Sequence, residues 1–254
     1  MEYLMTSRSR SRSAWFFVAT IAIGVATGCG STAHLGEFDY AADVSSRSEP
    51  LCPAHVEDIE GNSYRTVLLG DQCWFADNLR VTKYRDGQPI GDEQHDTNDL
   101  ELYGRLYPWV VVANSAGLCP AGFEVPTDED FKTFEKSLGM SAEALAETGW
   151  RGSGFDSRRI KAFDIDDDWT DEQRAIVNAT GFAALPSGLS VGWLAGGAGT
   201  YWESWTRSSF DEENAWGRTL HWSSYRDSNR RIFREATPKS RFYAVRCVKT
   251  IATE

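Results

Sequence analysis

Four cysteines limit the folds open to this chain more than any other feature of its sequence. Of the five cysteines in the 254 residues, Cys29 lies close to the N-terminus and is considered separately below, and Cys52, Cys73, Cys119 and Cys247 are distributed over the rest of the chain. In an oxidising compartment an even number of cysteines predicts disulfides, whereas cytoplasmic cysteines stay reduced. What these four residues do therefore depends on whether the chain is exported.

The N-terminus has the pattern of an export signal. Arg8, Arg10 and Arg12 precede the apolar run at residues 14–27, which is followed by small residues. A spanning helix needs about 20 apolar residues, so this shorter run fits the apolar region of a signal peptide better. The sequence predicts a signal peptide at residues 1–28.

Residues 26–29, Ala-Thr-Gly-Cys, resemble a bacterial lipobox. Cleavage before Cys29 leaves its sulfur to carry diacylglycerol and its amino group a further acyl chain such as palmitate. Each buried methylene contributes about 0.8 kcal/mol, so several chains make a lasting anchor. The alternative is a secretory signal without lipidation. The lipobox predicts the membrane as a partner and the bacterial cell envelope as the location. Gly30, with no Asp in its place, is compatible with an outer membrane lipoprotein facing the periplasm or the cell surface.

The predicted mature chain is acidic and divides into a tether and one domain. Residues 29–50 comprise the lipidated Cys and a small, polar tether, residues 51–250 the domain and residues 251–254 a tail. As a flexible coil the tether would hold the domain roughly 25 Å from the membrane. Removing residues 1–28 takes away three arginines and one glutamate, which changes the net charge from −11 to −13. This charge argues against nucleic acid as a partner.

Four cysteines allow three disulfide pairings. The residues between Cys52 and Cys73 have the pattern of a hairpin that would bring these two together, which favours Cys52–Cys73 and Cys119–Cys247. The chain has no CxxC or HxxxH spacing, so a cysteine-ligated zinc is not predicted. No cofactor is predicted either.

Local patterns predict few helices and many short strands. Alternating apolar and polar residues at 55–81 predict two or three strands with turns at Gly61 and Gly70. Thr127 predicts the cap of a helix that ends at Gly139. The remaining predictions are a short helix within 141–149, loops at 164–172 and 188–199, and strands within 201–249. Together these elements predict an α+β fold.

Five blocks of sequence occur in an order that is typical of one family. They are DIEGNSYRTVLLGDQCWFADNLR (58–80), YGRLYPW (103–109), GLCPAGFEVPTDEDF (117–131), NATGFAALPSG (178–188) and YAVRCVK (243–249). Together they resemble the Fibrobacter succinogenes major paralogous domain family over nearly all of residues 52–249. That family is in turn similar to the C-type lectin-like and formylglycine-generating sulfatase-modifying folds. VPTDEDF and the terminal VRC are similar to the LPTEAEW and GFRC motifs of the sulfatase modifiers. The resemblance implies a C-type lectin-like fold with short antiparallel strands, one or two helices, long loops and two disulfides.

The chemistry known from these relatives is not matched in the sequence. The oxidases use a pair of cysteines before the last strand, and residues 200–245 contain none. The EPN or QPD and WND motifs by which lectins hold Ca²⁺ are absent as well. A GxSxG string at 188–192 lies between Pro186 and Gly196, which does not fit a nucleophile elbow. No catalytic residue and no enzyme activity are predicted, with an oxidase-like enzyme kept as an alternative.

The acidic stretch 164–172 has a second possible interpretation. Asp164, Asp166 and Asp168 alternate as at the start of an EF-hand. Trp169 and Ala175, however, replace the Gly and Glu that an EF-hand needs. A solvated loop is therefore predicted and no metal site, with a Ca²⁺ site as the alternative.

Aromatic residues around the Gly-rich segment are the candidate ligand-binding residues. Trp193, Tyr201, Trp202 and Trp205 flank this segment, and exposed rings beside polar groups bind sugars or protein partners. The alternative is that these rings pack in the core. The sequence predicts a lipid-anchored extracytoplasmic binding or adhesion module for a glycan or a protein, with a purely structural surface lipoprotein as a further alternative.

Overall fold

A computed structural model describes residues 51–91, 94–153, 156–163, 171–191, 194–223, 228 and 230–251. The predicted signal peptide, Cys29 and the tether lie outside these residues. The strands are β1 (His55–Glu57), β2 (Ser63–Leu69), β3 (Gln72–Phe75), β4 (His95–Asp96), β5 (Arg105–Pro108), β6 (Gly149–Arg151), β7 (Leu189–Val191), β8 (Leu194–Gly196), β9 (Tyr201–Ser209), β10 (Asn214–His221), β11 (Ile232–Pro238), β12 (Arg241–Tyr243) and β13 (Val248–Thr250). The helices are α1 (Leu100–Tyr103), α2 (Trp109–Val112), α3 (Asp128–Ser137), α4 (Ala142–Ala146), α5 (Asp171–Ala175) and a 3₁₀ turn (Ser157–Arg159).

The strands form three antiparallel sheets. Their orders are β1-β2-β3-β13, β6-β11-β10-β9 and β4-β5-β12-β7-β8. In the first sheet, β13 pairs with β3 so that the end of the domain lies beside its beginning. The second sheet, called the central sheet below, contains the longest strands, β9 and β10. No helix in the described ranges is long and apolar enough to cross a membrane.

The prediction of an α+β, C-type lectin-like fold is wrong, because the molecule is built mainly from antiparallel sheets. Within the described residues only α3 is longer than five residues. Helices α1 and α4 bury no residue, and a helix of one turn cannot form a layer against a sheet. The apolar area is therefore buried chiefly by strands.

The Gly-rich segment 188–199 is also not the loop that was predicted. It contains β7 and β8, which form a hairpin at the edge of the third sheet. Pairing of β7 with β12 extends that sheet through backbone hydrogen bonds, which do not depend on the side chains. The free-energy cost of glycine in a strand is small compared with the stabilisation that pairing with a neighbouring strand provides.

Two clusters of buried side chains lie on opposite sides of β3 and β13. One cluster, called the cysteine core below, contains Cys73 and Cys247. The other contains the next residues along the chain, Trp74 and Val248, and is called the arginine core because buried arginines of the central sheet lie beside it. Successive side chains of a strand point to opposite faces, which explains how one pair of strands serves both cores. The predicted disulfides are confirmed, as Cys52–Cys73 and Cys119–Cys247.

Helix α3 is confirmed and closes the arginine core. Thr127 accepts a hydrogen bond from the Asp130 backbone N–H, and the Asp130 carboxylate accepts one from the Thr127 backbone N–H. This capping box satisfies N–H groups that the first turn leaves free. Phe131 and Phe134 pack on Trp74, with ring centroids 4.9 and 5.3 Å away. The helix is thereby held against the first sheet.

Candidate functional site

The two faces of the central sheet have different roles. On one face Trp202, Leu220 and Ile232 are fully buried in the arginine core. The opposite face carries the alternate residues of the same strands. Several of these are only half-buried, so this second face is partly open to solvent.

The open face combines carboxyl groups with aromatic rings. Glu203, Thr219, Phe233 and Trp150 are direct neighbours in one row across the four strands. The acid–aromatic face is defined here by Trp150, Tyr201, Glu203, His221, Phe233 and Glu235.

The rings of this face are in contact with one another. Tyr201 and His221 stack with centroids 4.6 Å apart and planes 6° apart. Trp150 lies 6.1 Å from His221 and 4.8 Å from Phe233, tilted by 50° from the latter. Cross-strand ring contacts of this kind stabilise a sheet. They also give the face a continuous apolar strip.

Glu203 is the most unusual residue of the face. Glu203 is only 5% exposed. Within the described ranges its Oε2 atom has no hydrogen-bond partner. Its Oε1 lies 3.5 Å from Thr219 Oγ1. Burial raises the pKa of Glu203 to about 7, and the charge of Glu235 adds to this rise. The charge of Arg241 and the hydrogen bonds of the carboxyl with Tyr243 and Thr219 oppose it. Near neutral pH the carboxyl can therefore either donate or accept a hydrogen bond.

Residues of β11 and β12 form the polar border of the face. Burial raises the pKa of Glu235, and the charge of Arg241 opposes this rise. Arg241 Nη1 donates to Tyr243 Oη at 3.5 Å, and Thr237 Oγ1 lies 3.2 Å from the same oxygen. A Cβ on Gly217 would approach the Tyr243 ring to 3.4 Å, so glycine lets this ring lie close to the sheet.

His221 contributes an uncharged ring to the face. Burial and the charge of Lys161 lower the pKa of His221 below its usual value. Its Nδ1 lies 2.9 Å from Ser228 Oγ. At pH 7 the imidazole is therefore uncharged and extends the apolar strip between Tyr201 and Trp150.

The face can contact apolar surface and exchange hydrogen bonds in both directions. Glu235 accepts, Arg241 donates and Glu203 does either according to its protonation. The carboxylate of Glu235 and the guanidinium of Arg241 carry opposite charges. No group of three or more His, Cys, Asp or Glu side chains that could hold a metal ion occurs among the residues the structure describes.

Of the predicted ligand-binding residues, Tyr201 belongs to this face, and its role in binding stays a prediction. Tyr201 is half-buried there, whereas Trp193 lies outside the described residues. The prediction for Trp202 and Trp205 is wrong, because they are 1% and 0% exposed. Trp202 Nε1 donates to Asn78 Oδ1, and Trp205 Nε1 donates to the Tyr107 carbonyl. Both rings therefore belong to the core.

Two other segments considered from sequence have clear positions. Ser190 of the GxSxG string is completely buried in β7, with its Oγ 2.7 Å from His95 Nδ1. The next element is the strand β8 and not a helix, so the geometry of a nucleophile elbow is absent from this described segment. In the acidic stretch, residues 164–170 lie outside the described residues, and Asp171 begins α5.

Sequence reasoning missed Trp150, Glu203, Phe233 and Glu235. Phe233 and Glu235 are two residues apart in β11, as Tyr201 and Glu203 are in β9. That spacing places each pair on one face of a strand and could have indicated the site. Which strands lie side by side was not evident from the spacing.

Taken together, these features define a disulfide-linked, β-rich domain that presents a half-open surface of carboxyl groups and aromatic rings. The chain belongs to the Fibrobacter succinogenes major domain family, whose model matches residues 67–249. No curated protein and no solved structure gives a significant match to the chain.

Proposed function

We propose that the protein is a lipid-anchored binding module of the bacterial cell envelope and that its acid–aromatic face binds the ligand. The signal-like N-terminus and the lipobox at Cys29 support the anchor. Two disulfides are consistent with an oxidising compartment. The tether would leave the domain free to reach a ligand near the membrane.

The observation that carries the proposed binding role is the buried Oε2 of Glu203, which has no hydrogen-bond partner in the described part of the chain. A polar atom left unpaired in a protein interior costs about 1–3 kcal/mol. A ligand that supplied the missing hydrogen-bond partner would remove this cost, which would favour its binding. The half-exposed rings beside Glu203 provide the apolar contact area that binding also needs.

The anchor is tested by expressing the full chain and its Cys29→Ser variant in a bacterium fed labelled palmitate. We expect label and membrane association for the wild type and loss of both for Cys29→Ser. A labelled Cys29→Ser protein would contradict the assignment of the lipid to this residue. Biotinylation of intact cells distinguishes the cell surface from the periplasm.

The binding role is tested with the detergent-solubilised full chain on arrays of glycans and of envelope proteins. We expect at least one ligand whose binding falls at least tenfold in Phe233→Ala. The control is Phe210→Ala, another partly exposed phenylalanine, which lies after β9 and outside the face. A chain that binds nothing on either array would favour a purely structural lipoprotein, and turnover of a thiol substrate would favour the oxidase alternative.

A further inference from the structure

We infer that the acid–aromatic face binds a neutral oligosaccharide chain. This inference rests on the proposed binding function and names the chemical class of the ligand. It follows from the charges of the face, its hydrogen-bonding groups and its dimensions.

The charges of the face favour an uncharged ligand. The Glu235 carboxylate and the Arg241 guanidinium act on the same buried Glu203, one raising its pKa and the other lowering it. An anionic ligand would meet Glu235 and a domain of strongly negative charge. A cationic ligand would meet the guanidinium of Arg241, which lies close enough to Glu203 to lower its pKa. A neutral ligand avoids both repulsions.

The hydrogen-bonding groups require a ligand that donates and accepts at adjacent positions. Within the described ranges the Oε2 atom of Glu203 has no hydrogen-bond partner, while Tyr243 and Thr219 interact with the same carboxyl group. The carboxylate of Glu235 offers further acceptors. Arg241 carries five N–H donors, of which Nη1 makes only a long bond of 3.5 Å to Tyr243. A hydroxyl group both donates and accepts, so a polyhydroxylated ligand satisfies the two kinds of group together.

The aromatic strip and the sheet determine the extent of the ligand. Four strands at about 4.8 Å spacing make the strip about 14 Å wide from β6 to β9. Trp150 and Phe233 are half-buried and lie at one end of it, and Tyr201 lies at the other. The C–H groups of a sugar ring can pack against these side chains. A strip of this width matches several sugar units better than one.

The competing occupant is a protein segment. An extended peptide gains most of its affinity by pairing its backbone with an open sheet edge. The acid–aromatic face consists of side chains on the face of the sheet, so it offers no such backbone edge to a peptide. Protein binding is accordingly the outcome that would exclude the oligosaccharide.

The inference is tested by calorimetry of the detergent-solubilised full chain. The probes are neutral disaccharides and hexasaccharides of glucose, mannose, xylose and galactose, with oligogalacturonate as the anionic probe and lysine hexapeptide as the cationic probe. We expect at least one neutral hexasaccharide to bind at least tenfold more tightly than its disaccharide. We expect no binding of the two charged probes.

Variants then assign binding to the face. We expect Trp150→Ala and Glu203→Ala each to weaken hexasaccharide binding at least tenfold. Glu203→Gln should weaken it less than Glu203→Ala, because glutamine keeps a donor and an acceptor. Phe210→Ala and Glu212→Gln, outside the face on an exposed turn, should leave binding unchanged. Thermal unfolding of each variant shows whether it is folded, and Glu235→Gln at the border replaces any variant that is not.

Each outcome supports or overturns the inference. Binding of no neutral hexasaccharide, or binding that Trp150→Ala and Glu235→Gln leave unchanged, overturns it. If a protein on the array binds instead and Phe233→Ala abolishes that binding, the oligosaccharide is excluded while the proposed binding function stands. If nothing binds on either array, both fail.

Discussion

The cysteine core and the arginine core share two strands but are held together by different interactions. In the cysteine core, Cys119–Cys247 joins residues 128 positions apart, and Cys52–Cys73 joins residues 21 apart. In the arginine core, Asp128 and Glu135 of α3 meet Arg151, Arg218 and Arg234 of the central sheet. One core is closed by covalent bonds and the other by buried charges.

The difference shows how one domain can depend on both redox state and pH. A disulfide stabilises mainly by restricting the unfolded chain. A buried ion pair repays its desolvation only if the partners are well placed, and removing one partner leaves a buried charge unpaired. We therefore expect the cysteine core to respond to reductant and the arginine core to substitution of its carboxylates.

The largest expected effect is the loss of Cys119–Cys247. In oxidised protein, Cys119→Ala with Cys247→Ala should lower the free energy of unfolding by about 4.7 kcal/mol, since the closed loop is long. The Cys52–Cys73 disulfide closes a much shorter loop, so its removal in Cys52→Ala with Cys73→Ala should lower the free energy of unfolding by about 3 kcal/mol. Urea unfolding of the two double variants measures both. Equal losses would show that loop length does not govern these bonds.

Replacing Glu135 should have the next largest effect. Glu135 Oε1 lies 2.8 Å from Arg151 Nη2 and 2.6 Å from Arg218 Nε, and all three side chains are fully buried. Glu135→Ala leaves both guanidinium groups without this carboxylate and should cost about 4 kcal/mol. The matched control is Glu129→Ala on the same helix, where an exposed pair with Lys132 should contribute less than about 1 kcal/mol. Similar losses in the two variants would contradict the role of burial.

A smaller effect is expected from Asp128 in acid. Burial tends to raise its pKa, but hydrogen bonds and charges from Arg234 and Arg218 outweigh burial and hold the pKa below the usual 3.8. The ionised Asp128 therefore adds stability that is complete above about pH 4 and is lost as pH falls through the lowered pKa. The free energy of unfolding of the wild type should exceed that of Asp128→Asn by about 2 kcal/mol at pH 6. Below pH 4 this difference should be smaller, because Asp128 becomes protonated.

Chemical unfolding between pH 2 and pH 6 measures this difference. The cost of losing Cys119–Cys247 should stay constant over the same range, because disulfide cysteines do not titrate. A wild-type advantage over Asp128→Asn that is equally large at pH 2 would show that packing, and not charge, holds Asp128 in place.

The success of the sequence predictions depended on the range of the interactions involved. Helix α3 could be predicted because Thr127 and Asp130 form its cap within one turn. The turn at Gly61, where φ is +79°, could be predicted because glycine tolerates that conformation. The assignment of Trp202 and Trp205 to a binding site failed because burial depends on strands far along the chain.

Arg246 illustrates the same limit inside a family block. From sequence it is a charged residue in YAVRCVK, yet it is 1% exposed. Its Nε donates to Asn78 Oδ1 at 2.9 Å, its Nη2 donates to the Ala183 carbonyl at 3.2 Å, and its guanidinium lies 4.3 Å from the Phe182 ring centroid. Burial lowers the pKa of Arg246 to about 9. Partners this distant in sequence come together only in the folded chain.

The family and the cap of α3 could be read from the amino-acid sequence, and the correct disulfide pairing was favoured among the three possible, because each depends on the identity or spacing of particular residues. The folded chain was needed to show that sheets and not helices dominate, which rings are buried, and that Glu203 and Glu235 lie on one face with Trp150. The physical reason is that side-chain burial and cross-strand neighbours depend on which strands pair, and strand pairing is a property of the whole chain.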